Sequence, residues 1–391
     1  MSSSLKTITT KAVIVKTAGK AIVSNIPEPA LKPDFVKVKT VAVAINPTDF
    51  HHASDVAPNG HILGCDYSGV VEEVGPECKN SDLKKGDRIC GSCHGGNTND
   101  KESGAFAETI FAPDGVLIKI PDNMSFEDAA TIGVAITSTG QVLYMNMKLP
   151  LPTEPTKTPF PILIYGGSTT SGAMAIQFAK LSGLTVITTC SPSNFDYVKS
   201  LGADAVFDYH SPTCGADIRA HTNSSLHHIY DCICSESTFA ICAEAFPEKG
   251  TFTGELKFIS VLPVETFSRK NEENVDAKAF LAYTAFGKAF SKFGLDIPFY
   301  PEHYEFAVRF WKMSSKLLEE GKIKNQPAIV RRGGLKGVID GMLEVSEGKV
   351  SAGKLVYRID ETPTDEELEK VSSEEEQEIK GADLYKSQWM Q

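Results

Sequence analysis

ILIYGGSTTSGAMAIQFAK, residues 162–180, is the stretch on which the reading of this chain turns. An apolar run stops at two glycines, passes four hydroxyl residues and enters a helical pattern. A dinucleotide-binding turn has the order strand, G-x-G-x-x-G, helix. Here the register Gly167-Ser168-Thr169-Thr170-Ser171-Gly172 gives G-x-T-x-x-G. Gly167 takes the tight turn and Gly172 the close helix–strand contact. Thr169 stands where a glycine normally lets backbone approach a pyrophosphate. In exchange, Ser168, Thr169, Thr170 and Ser171 offer hydroxyls beside helix N-terminal amides, a suitable anion site. The alternative is a plain Gly/Ser loop; the units on either side favour the binding turn.

Downstream, LTVITTC, AVFDY and LHHIYDCI read as strands, separated by helical NFDYVKSLG and ADIRAHTNSS. TFTGELKFISVL continues the series. Strand–helix alternation of this kind predicts a parallel, doubly wound sheet. HYEFAVRFWKMSSKLLEEG and GLKGVIDGMLEVSEGK read as amphipathic helices, and AGKLVYRI as a closing strand. Upstream, residues to about 130 are β-rich: KAVIVK, AIVSNI, SGVVEEVG, GDRICG and AFAETIFA are short and bounded by Gly, Pro, Asn or Asp. VKVKTVAV alternates with period two, as a half-buried antiparallel strand does. A compact β-barrel or sandwich follows. SFEDAATIGVAITSTGQVLYMNM then changes to helical spacing behind an approximate capping box at Ser125 and Asp128. KLPLPTEPTKTPFP, with five prolines, reads as a surface loop.

An acid about 20 residues beyond the turn would bind the ribose 2′-hydroxyl of NAD. The run there is TTCSPSNFDYVK, and residues 189–194 contain no carboxylate. Ser191, Ser193 and Asn194 are short hydrogen-bonding groups, with Lys199 nearby as a cation. Nothing in this run repels a 2′-phosphate, which points to NADPH. The same run also reads as a helix N-cap.

The net charge of −11 argues against nucleic acid or an anionic membrane as partner. Residues 361–391 carry ten acids and three bases, which is −7 of that total, and they are poor in apolar residues. Disorder is the expectation for this tail, with a binding role for LYKSQWM as the lesser alternative. No signal-peptide or membrane-span pattern is visible. Nine cysteines, an odd number without a disulfide-framework spacing, suit a reducing, cytoplasmic location.

VAVAINPTDF, LGCDYSGVVEEVG, KKGDRICG, GAFAE, LIYGGSTTSG, SLGADAVFDY and SAGKLVYRI, in this order, resemble the medium-chain dehydrogenase/reductase superfamily over about residues 10–360. YGGST, TCSPSNFDYVKS and FDY resemble its zinc-free fungal branch, which includes trans-acting enoyl reductases that partner polyketide synthases. The resemblance implies an α/β chain. A GroES-like β-barrel catalytic domain covers 10–132 and is completed by about 325–360. A Rossmann domain with a doubly wound parallel sheet covers 133–324, and the acidic tail 361–391 follows. It also implies NADPH contacts at Pro47, Thr48, Asp49 and Phe50, at Ser168, Thr169, Thr170 and Ser171, and at Ser191, Pro192, Ser193, Asn194 and Tyr209. Val261, Leu262, Val350 and Ser351 complete that set. Substrate contacts would come from Gly133, Val134, Ala135, Ile136, Thr137, Ser138, Thr139 and Gly140, and from Ala282, Tyr283, Thr284, Ala285 and Phe286.

Zinc-dependent members carry Gly-His-Glu where this chain has Gly64-Cys65-Asp66, and AINPTD lacks the upstream cysteine. Cys90-x-x-Cys93 followed by His94 is the other metal candidate, but a structural zinc needs four closed ligands. The expectation is no metal. Without a Lewis acid, hydride delivery to an activated C=C bond is favoured, and the enolate then needs hydrogen-bond donors and a proton. His51 stands where the resembled branch carries a lysine, so it is one candidate donor; the alternative is a surface histidine. Tyr67 and Tyr283 are other candidate donors, and Thr139 a group positioning the nicotinamide amide or a substrate carbonyl. Three functions follow. The first is a trans-acting NADPH-dependent enoyl reductase acting on a thioester held by a polyketide synthase acyl-carrier domain. The second is a stand-alone reductase of small enones or quinones, and the third a non-catalytic cofactor-binding partner.

Overall fold

The computed structural model describes residues 8–79 and 82–372. Six parallel strands form one sheet in the spatial order Ala205–Asp208, Thr185–Cys190, Pro161–Tyr165, His228–Asp231, Leu256–Ser260 and Val275–Ala279. In sequence order this is 3-2-1-4-5-6, the doubly wound arrangement. The inner strands Pro161–Tyr165 and Thr185–Cys190 are buried along nearly their whole length because both faces are covered, while the edge strands Ala205–Asp208 and Val275–Ala279 are half-buried and carry charged residues. Ile162, Ile164 and Val186 pack with Met174 and Phe178 on one face, while Leu163, Ile187 and Ile229 pack with Ile218 and Phe239 on the other.

The second sheet is mostly antiparallel. Phe35–Ala44 is its long strand, flanked by Asp66–Val74, then Arg88–Ser92 and Leu117–Lys119, with Thr109–Pro113 also on Phe35–Ala44. Its far side is closed by Lys354–Arg358, which pairs antiparallel with Phe35–Ala44 and parallel with Ala328–Arg331. A hairpin of Thr9–Thr17 and Lys20–Pro27 lies over it. Val13, Val36, Tyr67, Ile89, Phe106 and Leu355 fill its core.

Between the sheets, the expected helix after Ser125 is broken. Phe126–Ala129 is one turn, capped by Ser125, and Gly133–Thr139 starts again. Gly133 opens the second segment where there is no room for a side chain: a Cβ there would lie 2.3 Å from Asp66 Oδ1 and 2.4 Å from the Gly91 carbonyl oxygen. The amphipathic helix Pro301–Glu319 locks onto this segment through Trp311, whose buried indole N–H donates to Thr137 Oγ1 at 3.2 Å.

A hairpin of Phe290–Lys292 and Leu295–Ile297 is a further element. So is a helix at Asp365–Ser372, the start of the segment expected to be disordered. Asp365 caps its docking: Asn25 Nδ2 donates to it at 3.1 Å and Lys11 Nζ lies 3.2 Å away. The remainder of the acidic tail, with LYKSQWM, lies outside the described residues. No described helix is long and apolar enough to cross a membrane.

Candidate active site

The strand Pro161–Tyr165 ends at Gly166, whose φ of +82° is left-handed and favours glycine. The tight turn therefore falls on Gly166, one residue before the expected Gly167. Gly167 serves packing instead, since a Cβ there would sit 2.0 Å from Thr188 Oγ1 on the neighbouring strand. Gly172 makes the close helix contact, with a Cβ at 2.3 Å from the Gly166 oxygen. Thr169 is the N-cap of the helix Thr170–Leu181. Its hydroxyl donates to the Gly166 carbonyl at 2.7 Å and accepts the Gly172 N–H at 3.0 Å. That hydroxyl is committed to the turn, which leaves amides of the first helical turn to meet an anion. Gln326 clamps the loop: its Nε2 donates to the Ser168 carbonyl at 2.9 Å, and its Oε1 accepts from the Thr170 hydroxyl. No local sequence signal marks Gln326, because it acts across 158 residues.

Beyond the next strand, Ser191 Oγ lies 3.1 Å from Tyr209 Oη, and Asn194 Nδ2 donates to Ser351 Oγ at 3.0 Å. Asp208, level with Cys190 on the adjacent strand, is a carboxylate near this edge. His210 Nδ1 contacts it at 2.6 Å.

A cavity of about 450 Å³ opens at the point where the strand order reverses. Open α/β sheets bind ligands there, and the volume suits a small-molecule site. Of the expected residues, it is lined by Pro47, Thr48 and His51, by Val134, Thr137 and Ser138, by Ser168, Thr169, Thr170 and Ser171, by Val261, Leu262, Val350 and Ser351, and by Ala282, Tyr283 and Phe286. Asn46, Cys65, Cys232, Ile233, Gln326 and Lys354 line it as well. Ser191, Pro192, Ser193, Asn194 and Tyr209 lie outside this lining. So do Gly133, Ala135, Ile136, Gly140, Thr284 and Ala285. Phe50 and Asp49 sit beneath the wall, where Asp49 Oδ2 accepts the Asn46 N–H at 2.7 Å. Burial raises the Asp49 carboxyl to about 7.

Two expected reactive groups are placed away from the cavity. Tyr67 is fully buried in the barrel core, so close to Gly91 that a Cβ there would meet its hydroxyl at 2.8 Å. Strand alternation turns it inward. Thr139 is fully buried and follows Thr137 and Ser138 by a further helical step, which rotates it off the cavity wall. His51 lines the cavity, but burial and the nearby Lys292 charge lower its imidazole to about 4. It is neutral in neutral water and does not replace a lysine's charge.

Behind Thr48 lies a polar layer in which the sequence points to Tyr283 but not to His52 or Lys292. Tyr283 Oη is 2.6 Å from Thr48 Oγ1 and 3.4 Å from His52 Nε2. Lys292, on the short hairpin, bonds to the same His52 nitrogen and places its ammonium 4.0 Å from the Tyr283 ring centroid. His94 stacks on Tyr283 with centroids 4.0 Å apart. Burial lowers Lys292 from 10.5 to about 7 and holds His52 and His94 well below the usual histidine range. A second buried lysine braces the wall. Lys354 bonds to Asp66 Oδ2 and, at 2.8 Å, to Asn46 Oδ1. Asp66 also accepts the Val134 N–H at 2.7 Å and Asn46 Nδ2 at 3.0 Å.

Residues 32–122 match the alcohol dehydrogenase GroES-like domain, and residues 172–254 match the zinc-binding dehydrogenase family. The trans-enoyl reductase ACTTS2 of Alternaria alternata is 43% identical over 355 residues, covering 90% of this chain and 100% of that protein. The chain belongs to the trans-enoyl reductase family. The trans-enoyl reductase TOXD of Cochliobolus carbonum is 44% identical over 282 residues, 72% of this chain and 92% of that one. Among solved structures, the CurK enoyl reductase superposes with a TM-score of 0.68 at 16% identity, covering 89% of this chain and 99% of the other. A quinone oxidoreductase of Pseudomonas syringae pv. Tomato DC3000 gives 0.69 at 20%, with the same coverage. These two likenesses concern the fold, that of the medium-chain dehydrogenase/reductases. This fold and family carry a nicotinamide dinucleotide.

The zinc-binding dehydrogenase match raises the question of zinc, which needs three protein ligands and an open position for catalysis. Among the described residues, Asp49, His52 and Cys65 bring one ligand-type atom each to within 4.8 Å of one another. The Lys292 ammonium already bonds to His52 there, and Asp49 and Cys65 act on its charge. The Cys65 thiol is held protonated by burial and by Asp49 and Asp66. Asp66 is spent on Lys354 and Asn46. A dication and this ammonium repel at such range, so the residues do not fit zinc. Cys90, Cys93 and His94 do not join the grouping.

Proposed function

We propose that the protein is an NADPH-dependent enoyl reductase that acts in trans on an α,β-unsaturated thioester carried by a polyketide-type synthase. The observation that carries this reading is the reacting end of the cavity. It presents the hydroxyls of Thr48 and Tyr283 and a neutral His51, backed by an internal cation rather than a metal site. When bound, the nicotinamide supplies hydride to the β-carbon of an activated C=C bond. The chain's own part is electrostatic and positional. Uncharged donors at the cavity wall stabilise negative charge developing on the thioester oxygen. The amides at the start of Thr170–Leu181 and the Gln326-clamped loop hold the pyrophosphate. The hydroxyls of Ser191 and Tyr209 suit a 2′-phosphate, since the strand Thr185–Cys190 ends without a carboxylate. Asp208, at the end of the adjacent strand, is bonded to His210.

The test uses the full chain with NADPH or NADH, an enoyl chain on an excised acyl-carrier domain, and small free enones. NADPH consumption with the carrier-bound chain, weaker with NADH, is expected. Turnover of free enones or quinones alone would replace this reading with a stand-alone reductase. Cofactor binding with background consumption across the panel would replace it with a non-catalytic partner.

A further inference from the structure

Lys292 is the most costly feature of the site. It is 3% exposed, and its direct polar partner is a neutral imidazole rather than a carboxylate. A buried ammonium without a bonded anion weakens a fold, and such groups gather where chemistry needs them. What Lys292 stands behind is Tyr283, the one phenol among the described residues that lines the cavity, and it touches both Thr48 and His52.

We propose that the Tyr283 hydroxyl returns the proton to the α-carbon of the enolate, and that the Lys292–His52 pair restores it. The inference rests on the enoyl-reductase reading. In the step, the Tyr283 O–H bond breaks, its proton forms a C–H bond at the α-carbon, and a tyrosinate remains. His52 Nε2 takes a proton from the Lys292 ammonium and passes it to that tyrosinate, which leaves a neutral amine. Water then reprotonates the amine, so one solvent proton is consumed per turnover. Thr48 is a positioning residue that fixes the phenol through its 2.6 Å contact. A second cavity of about 40 Å³ shares Tyr283 and Phe286 with the first and reaches Lys288 and Asp100. Its lining does not include Lys292, and water meets the amine through the 3% of Lys292 that stays exposed. The titratable groups facing the Lys292 head are His51, His52, Asp49, Cys65, His94 and Tyr283. Of these, the three imidazoles are neutral near pH 7, while Asp49, like Lys292 itself, titrates there.

The proposal is tested with Tyr283→Phe, which keeps the ring on His94, and with Lys292→Met. Tyr283→Phe should lower kcat by about 10²-fold while the NADPH Kd from cofactor fluorescence stays unchanged. In deuterated water the wild type should place deuterium at the α-carbon in one configuration, and Tyr283→Phe should lose that selectivity. Unchanged kcat or retained single configuration in Tyr283→Phe overturns the donor role. In the wild type kcat should fall as pH rises through neutrality, and Lys292→Met should remove that limb. An identical limb in Lys292→Met overturns the reservoir role. A wild type inactive on every enoyl thioester overturns the functional reading itself, whereas an active wild type with an unaffected Tyr283→Phe overturns this inference alone.

Discussion

Replacing Lys292 by methionine should make the protein more stable while making it slower. The ammonium is displaced from 10.5 to about 7 by burial, against smaller opposing effects of Cys65 and Asp49. Each unit is worth about 1.4 kcal/mol, so below pH 7 the folded chain bears a burden of about 5 kcal/mol. Methionine has similar length and no charge. It forfeits the bond to His52 and the cation–π contact over Tyr283, together about 2 kcal/mol. A net gain of about 3 kcal/mol remains. Between about 7 and 10.5 the unfolded chain binds more protons at this lysine than the folded one, so wild-type stability rises with pH across that window. The advantage of Lys292→Met should therefore be largest below 7 and shrink by about 1.4 kcal/mol per unit above it. Urea unfolding of both proteins at pH values of about 6, 8 and 10 measures this. A methionine variant less stable than wild type, or a gap that does not change with pH, would refute the reasoning.

Lys354→Met should cost about 3–5 kcal/mol in the same assay, because it strands the buried Asp66 carboxylate; a loss under about 1 kcal/mol would mean that Asn46 and the Val134 N–H suffice. Thr169→Gly should change stability by a few tenths of a kcal/mol and leave the NADPH Kd nearly unchanged, since its hydroxyl serves the cap; a large affinity loss by fluorescence titration would show that the threonine holds phosphate. Gly167→Ala should destabilise by about 1–3 kcal/mol, as its methyl meets Thr188, and a neutral melting shift would contradict that contact. Ser191→Asp should weaken NADPH by about tenfold or more through like-charge repulsion and spare NADH; equal effects on both cofactors would move the 2′-phosphate elsewhere.

The parts of this molecule that were legible in the sequence are those governed by local rules. The alternation in Phe35–Ala44 and the strand–helix units from 161 onward follow from periodicity, and the doubly wound order follows from them. The tight turn falls one residue earlier than the sequence pattern places it, because the register from Gly167 keeps Gly172 as its last glycine, whereas that from Gly166 ends on Ser171. Only the positive φ of Gly166 and the close approach at Gly167 tell them apart. The hairpin holding Lys292 was missed because its turn is Phe293-Gly294, with φ of +54° and +76°. A phenylalanine there gives no turn signal. Lys292 itself reads as a solvated lysine, as most are, and its burial is set by elements 240 residues away in His52. Tyr67 and Tyr283 were equal as donors in the sequence; strand alternation buries one and a loop turn presents the other. The docking of Asp365 likewise depends on Asn25 and Lys11, distant partners that composition ignores.

The barrel strand Phe35–Ala44 gains its last neighbour from Lys354–Arg358, and Asn46 meets Lys354 across 308 residues. A nascent chain leaving the ribosome thus carries an open sheet edge while the whole inserted sheet, 161–279, is still being made. The insert is contiguous and can close first. Its completion would then bring the ends of the barrel together, shortening the loop that the final strand has to span. An exposed edge of this kind is an aggregation hazard during synthesis. Slow or interrupted translation after residue 280 should therefore yield a folded nucleotide domain on an unfinished, chaperone-bound barrel.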